Sequence, residues 1–216
     1  MNYGRGATRD RSGKQTIEVA IQKRLDKFLL DVNLGEEGFV CLSGRNGSGK
    51  TSFMKVVAGL MRPDEGHVWI NGIEVTEWPM ERRRVVMVTP DSALPNLEVD
   101  AHLLWGAKLR RKRIDQGRLE RTKEDLGIDF QGNVGKLSMG MRERVALATA
   151  LLAAPSAILV DEAFANLHEK EQFISSYRKL AAESRIDVIF STQDDSDGKM
   201  ADHLYLMEQG KAMKRF

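Results

Sequence analysis

Short apolar runs at the length of β-strands recur along the chain, separated by stretches whose apolar residues repeat at helical spacing. Phe39-Val40-Cys41-Leu42-Ser43, Val68-Trp69-Ile70, Val85 to Val88, Ala157 to Val160 and Val188 to Phe190 read as buried strands. Lys50–Leu60, Met139–Ala153 and Lys170–Ser184 read as helices. Strand followed by helix near the start, and strand–helix–strand near the end, implies an α/β fold with a mostly parallel sheet flanked by helices. Upstream, Ile17–Ile21 and Phe28–Leu34 read as a hairpin or small antiparallel sheet, an N-terminal β subdomain. Between Asp91 and Lys136 the character changes. Ala101–Leu126 is charged and helix-prone with few β-branched residues, so an inserted helical subdomain is expected over about 91–150. No internal repeat is present.

Bulk composition narrows this picture without deciding the chemistry. A chain of 216 residues fits one large domain carrying such an insertion, and residues 17–216 are read as one unit. With 33 basic and 31 acidic residues the net charge is +2, so no global field favours nucleic acid, and none is expected as a partner. The local exception is Lys108-Leu109-Arg110-Arg111-Lys112-Arg113, read either as a solvated helix face or as a contact for acidic headgroups or an acidic partner. A single cysteine, Cys41, offers neither a disulfide framework nor a zinc cluster, which suits the cytosol. Residues 1–16 are polar, carry Arg5, Arg9, Arg11 and Lys14, and lack the apolar segment of a signal peptide; a mobile tail is expected. The longest uncharged run, Val145 to Val160, is broken by Pro155 and is too short for a membrane span. Any membrane role must come through a partner.

The first chemical motif is Gly44-Arg45-Asn46-Gly47-Ser48-Gly49-Lys50-Thr51, a full match to the phosphate-binding loop of P-loop NTPases. Its glycines let successive backbone N–H groups surround a polyphosphate with no Cβ in the way. Lys50 brings charge to the β- and γ-phosphates, Thr51 can ligate Mg²⁺, and Ser52 follows in the helix start that faces the anion. ATP and Mg²⁺ are therefore the expected ligands. A second motif, Ala157-Ile158-Leu159-Val160-Asp161-Glu162, is an apolar strand ending in two acids at the carboxyl edge where such sheets bind ligands. Asp161 suits a water-mediated hold on Mg²⁺, and Glu162 suits the polarisation of an attacking water.

The third motif names a family. Leu137-Ser138-Met139-Gly140-Met141-Arg142-Glu143-Arg144-Val145-Ala146-Leu147-Ala148 resembles the LSGGQ-x-x-RVALA signature of ABC-type ATPases. Ser138 and Gly140 at a helix start form a second phosphate-binding feature. The resemblance spans about residues 17–214. It implies that the signature of one subunit closes over the nucleotide on the P-loop of another, in a homodimer or heterodimer. Ala58-Gly59-Leu60-Met61-Arg62-Pro63-Asp64-Glu65-Gly66, Asn71-Gly72-Ile73, Pro79-Met80-Glu81-Arg82-Arg83 and Leu94-Pro95-Asn96-Leu97 are similar to stretches of importer ATPases. Lys23 to Phe28 is similar to the start of archaeal molybdate/tungstate importer ATPases. The resemblance thus implies an ATP-hydrolysing subunit held at the cytoplasmic face by integral-membrane transporter subunits, with an extracytoplasmic solute-binding protein as a further partner. A soluble ABC-type ATPase with a regulatory or assembly role stays open beside it. The long coiled coils of repair relatives are not expected, because no sustained heptad run is present.

Several positions depart from the family pattern. Pro90, beside Thr89 and Asp91, stands where the family has a glutamine, and proline offers neither side-chain ligand nor N–H. Gln193 replaces a histidine that contacts the γ-phosphate; it is still expected to donate there, without charge. Met139 replaces a signature glycine. Ala163-Phe164-Ala165-Asn166-Leu167-His168 replaces P-x-S-x-L-D. No aromatic residue stands in the usual adenine-stacking position; Phe28 is the nearest candidate, with core packing its other role. The expectation is sound nucleotide binding with slowed hydrolysis.

Overall fold

In the computed structural model, which describes residues 17–216, β1 (Ile17–Arg24) and β2 (Leu29–Glu36) pair antiparallel with Val19 opposite Leu34 and Ile21 opposite Val32. The tail expected over residues 1–16 lies outside the described residues. β3 (Phe39–Ser43) leads into the P-loop and α1 (Lys50–Ala58), and β4 (Glu65–Ile70) then pairs antiparallel with β1. The run Val68-Trp69-Ile70, expected as a buried strand, therefore belongs to the antiparallel layer. Its alternation, with Val68 and Ile70 buried and Trp69 half-buried, is that of a strand with one covered face. The pairing is sealed by Gly66, at φ +95°, where a Cβ would lie 2.0 Å from the Ala20 carbonyl oxygen.

After the short β5 (Ile73–Glu74), β6 (Val85–Val88) joins β7 (Ala157–Asp161) and β8 (Asp187–Thr192), all parallel to β3, in the order β6-β7-β8-β3. Alternation along these strands feeds two cores. Phe39, Cys41, Val160 and Phe190 face the cluster under the helices α2 (Val99–Leu109), α4 (Met139–Leu152) and α5 (Lys170–Glu183); Val40, Leu42, Leu159 and Ile189 face the cluster with α1 and the antiparallel layer. α3 (Gln116–Asp125) lies beside α4 and α5. Cys41 is buried, which pushes its thiol up to about 12 and leaves it an inert small hydrophobe, as expected.

Residues 203–214, to which no element was assigned from sequence, form a hairpin. β9 (His203–Glu208) runs parallel to β3, β10 (Lys211–Lys214) returns beside it, and Lys211 pairs with Asp31 of β2, joining both regions into one sheet of ten strands among the described residues. Two buried side chains brace the frame. Arg83 donates to the carbonyls of Val56, Val57, Thr76 and Trp78, so it closes the C-terminus of α1. His102 accepts from Leu94 N–H at Nε2 (2.9 Å), which places its proton on Nδ1 facing Thr149 Oγ1 (2.8 Å). Burial holds the His102 pKa below the ordinary imidazole value, so the ring stays neutral and ties the loop after β6 to α4.

Candidate functional site

Parallel pairing sets the carboxyl ends of β3, β8, β7 and β6 side by side, and these ends carry the P-loop, Gln193, Asp161–Glu162 and Thr89–Pro90 in that order. The loop's glycines meet real constraints. A Cβ on Gly44 (φ +153°) would lie 2.3 Å from the Met207 carbonyl oxygen, and Gly49 (φ +111°) sits against Leu30, Met207 and the Phe28 ring. The β9–β10 hairpin is thus the floor of the loop, and its Gly210 N–H donates to Ser48 O (2.9 Å). α1 starts at Lys50 with no side-chain cap and no acid in its first turn. Its positive end is left to an external anion.

Lys50 is 4% exposed and folds back over the loop, donating to Gly44 O (2.5 Å) and Arg45 O (3.1 Å) and standing 3.6 Å from Glu162 Oε1. Gln193 Nε2 donates to the other oxygen of Glu162 (3.2 Å). Glu162 takes φ +57°, a left-handed turn out of β7 that costs a non-glycine residue about 1–3 kcal/mol. Ser191 holds it there: its buried hydroxyl accepts from Glu162 N–H (3.0 Å) and donates to Asp161 Oδ1 (2.7 Å).

Two clefts flank the loop. One of about 450 Å³ is lined by Arg24 at the end of β1, by Leu25 and Lys27 of the turn that follows, by Gly47, Lys50, Thr51 and Ser52, and by Glu162. The other, about 990 Å³, lies between Arg45, Asn46, Gln193 and the β9–β10 hairpin. Half-buried Phe28 lines both, packed on Gly49 and Gly210, so its ring serves packing and cleft wall together. Ser48 Oγ is buried without a partner among the described residues. Pro90 sits in a tight turn closed by Ser92 N–H on Thr89 O (3.0 Å) and Thr89 N–H on Ser92 Oγ (2.8 Å); Asp91 is exposed on it.

Ser138 and Gly140 lie elsewhere and line neither cleft. Ser138 caps α4 by accepting from Met141 N–H (3.3 Å), and Met139 is 47% exposed. A Cβ on Gly140 would lie 2.8 Å from Asn166 O, Asn166 Nδ2 donates to Glu143 Oε1 (2.9 Å), and Arg144 donates to His168 O (2.5 Å) and Leu126 O (3.0 Å). The start of α4 is therefore fastened to the loop that follows Glu162. Glu143 is 1% exposed, and burial raises its carboxyl pKa despite the Asn166 hydrogen bond. From sequence Glu143 and Asn166 were read only as members of the signature and of the loop after Glu162, and Ser191 was given no role; the partners lie more than twenty positions apart. Asp197 was missed likewise; it is buried, accepts from Thr192 Oγ1 (2.6 Å) and pairs with Lys170 (2.6 Å).

The model of the family described as "ABC transporter" matches residues 26–165. The chain is 34% identical over 208 residues, 90% of its length, to the molybdenum import ATP-binding protein ModC of Rhizobium meliloti, and spans 58% of that relative's length. It is 32% identical over 92% of its length to the molybdate/tungstate import ATP-binding protein WtpC of Archaeoglobus fulgidus, of which it covers 86%. Among solved structures, the ATP-binding subunit of an ABC transporter superposes with TM-score 0.75 at 22% identity, covering 92% of this chain and 89% of that one. A dimeric bacterial ABC transporter cassette gives TM-score 0.73 at 24% identity, covering 91% and 96%. These two likenesses concern the fold.

Proposed function

The chain belongs to the ABC transporter family, and on that premise we propose that it is the ATP-binding and ATP-hydrolysing subunit of an importer. The observation that carries this is the convergence of Lys50, Glu162 and Gln193 beside the uncapped start of α1. The polyphosphate of ATP lies along the loop N–H groups. Lys50 then exchanges the Gly44 and Arg45 carbonyls for phosphate oxygens, and so releases Glu162 from its ion pair. Freed, Glu162 accepts a proton from the water that attacks the γ-phosphorus; the bond to the ADP oxygen breaks, and ADP and phosphate leave. Thr51, which lines the cleft beside Lys50 and Glu162, would hold Mg²⁺ directly and Asp161 through water, with nucleotide and water completing the coordination. When bound, Mg²⁺ would neutralise charge on the phosphates.

Hydrolysis is slow in this reading. Pro90 brings no side-chain donor to the attacking water, and Gln193 offers a neutral hydrogen bond, already engaged by Glu162. The signature at Ser138 and Gly140 serves a second subunit's nucleotide, because it lines no cleft beside its own P-loop. Two copies, or this chain with a more complete ABC subunit, build the working sites; only the mixed pair keeps one nearly intact catalytic half. Separate membrane subunits carry the transport path in this proposal; among the described residues no helix is long and apolar enough to cross a membrane. The names of the relatives point to molybdate- or tungstate-like oxyanions as cargo. In this proposal an extracytoplasmic solute-binding protein delivers it.

The test is Glu162→Gln in the purified chain with MgATP. The variant is expected to elute as an ATP-bound dimer while the parent turns over well below about 1 s⁻¹, the lower end of phosphoryl-transfer enzymes taken as a yardstick. A variant that binds ATP yet stays monomeric removes Glu162 from the role of base. A parent that hydrolyses alone at about 10 s⁻¹ removes the claim of slowed chemistry.

A further inference from the structure

The edge of the sheet opposite the P-loop is where β6, β7 and β8 begin and where α2, α4 and α5 end. Helix C-termini carry roughly half a negative charge each, so cations are expected there to serve carbonyls. Two of them do. Arg83 is consumed by four carbonyls, and Lys112 Nζ donates to Ala154 O (2.9 Å) at the turn before β7.

Arg84 and Arg110 have no such duty. Arg84 stands at φ +56° immediately before β6, its own carbonyl held by Ser156 N–H (2.8 Å), and its side chain is exposed. Arg110 closes α2 and is half-buried. Neither guanidinium makes a hydrogen bond or ion pair among the described residues. What Arg110 faces is positive: burial first, and the charge of Arg84 second, hold its pKa below the ordinary value. Lys112 is depressed in the same way, by burial and then by Arg84, Arg110 and Arg118. Arg118 reaches over from α3 and touches Ser184 Oγ only at 3.4 Å. The acid nearest Arg110 and Lys112 along the chain, Asp115, is occupied as the cap of α3, accepting from Arg118 N–H (2.9 Å).

A merely solvated charged face would keep each cation fully in water. Here a guanidinium is partly withdrawn from water among like charges with no acceptor, and an isolated buried cation is unfavourable unless paired. Four cations against the half-charges of three helix ends still leave a positive surplus. A single carboxylate neutralises little of it; a phosphate group, with two charges and three acceptor oxygens, suits several guanidinium forks at once. We infer that Arg84, Arg110, Lys112 and Arg118 form a binding site for a phosphate-bearing anion, remote from the nucleotide, filled by a free polyphosphate or by the headgroup of an anionic lipid.

The experiment uses the full chain carrying Lys50→Ala, so that the P-loop does not compete. Inorganic tripolyphosphate is titrated by calorimetry at low salt, and vesicles of phosphatidylcholine with and without phosphatidylglycerol are tested by co-sedimentation. Tripolyphosphate binding alone identifies a soluble ligand, and sedimentation with anionic vesicles alone identifies a headgroup; either supports the site. Adding Arg84→Gln and Arg110→Gln is expected to weaken binding at least about tenfold, while Arg84→Lys with Arg110→Lys retains much of it. An unchanged melting temperature in the Gln pair shows that folding is not what was lost. No binding by either probe, equal binding by the Gln pair, or poly-glutamate binding as tightly as tripolyphosphate each overturns the assignment.

Discussion

Removing the Ser191 hydroxyl tests how the two acids of the site are held. Ser191 is 2% exposed, and its one oxygen serves both Asp161 and Glu162. In Ser191→Ala the Asp161 carboxylate, itself 7% exposed, loses a donor, and a hydrogen bond to a charged group contributes about 1.5–3 kcal/mol. The Glu162 N–H is left without an acceptor, at a cost of about 1 kcal/mol or more, and the vacated space of one oxygen atom is too small to admit a water. Together the loss is about 3 kcal/mol. At about 2–4 °C per kcal/mol for a chain of this length, the melting temperature falls by about 6–12 °C. Urea unfolding followed by circular dichroism checks the free energy, with Ser196→Ala as the control: its hydroxyl bonds only the exposed Asp194. ATP turnover falls in parallel, because Glu162 is no longer pinned at φ +57°. A stability loss below about 1 kcal/mol refutes the assignment of Ser191 as the brace of this turn.

Asp187 gives a pH prediction. Burial, and then the neighbouring Glu37 charge, push its carboxyl from 3.8 to about 6 against the Gly38 N–H hydrogen bond, and its Oδ2 is buried without a partner among the described residues. The folded state therefore holds a proton that the unfolded state releases near pH 4, so this group's contribution to stability falls as pH rises from about 4 to 6 and stays lower above. Asp187→Asn removes that dependence, and its stability relative to the parent improves by about 2–3 kcal/mol between pH 4 and pH 7 in urea titrations; an equal difference at both pH values contradicts the reading. Asn166→Ala leaves buried Glu143 without its donor and costs about 1–3 kcal/mol. Hydrogen exchange at the first turn of α4 accelerates with it, and unchanged protection there would show that the Asn166 contact does not hold the signature segment.

Strand–helix alternation, the P-loop, the acids after Val160 and the capped start of α4 were all legible along the chain, because each is a local pattern of apolar period, glycine or cap. What local pattern could not tell was which strands share a layer. Val68–Ile70 joined the antiparallel region through Gly66, and residues 203–214 supplied the hairpin under the P-loop despite their mixed, half-buried alternation. Lys50, Glu162 and Gln193 were named one by one; only the side-by-side carboxyl ends of β3, β8 and β7 made them a contact set.

The sequence by itself determined the chemistry on offer, an anion-binding helix start with two acids and a signature serine, since those depend on residue type and short spacing. Tertiary structure alone decided the constraints among them: Ser191 bridging two acids, Asn166 fastening Glu143, and Arg110 stranded among cations. The physical reason is that a hydrogen bond or a like-charge contact depends on ångströms between residues far apart in the chain, and no periodicity in the sequence encodes that distance.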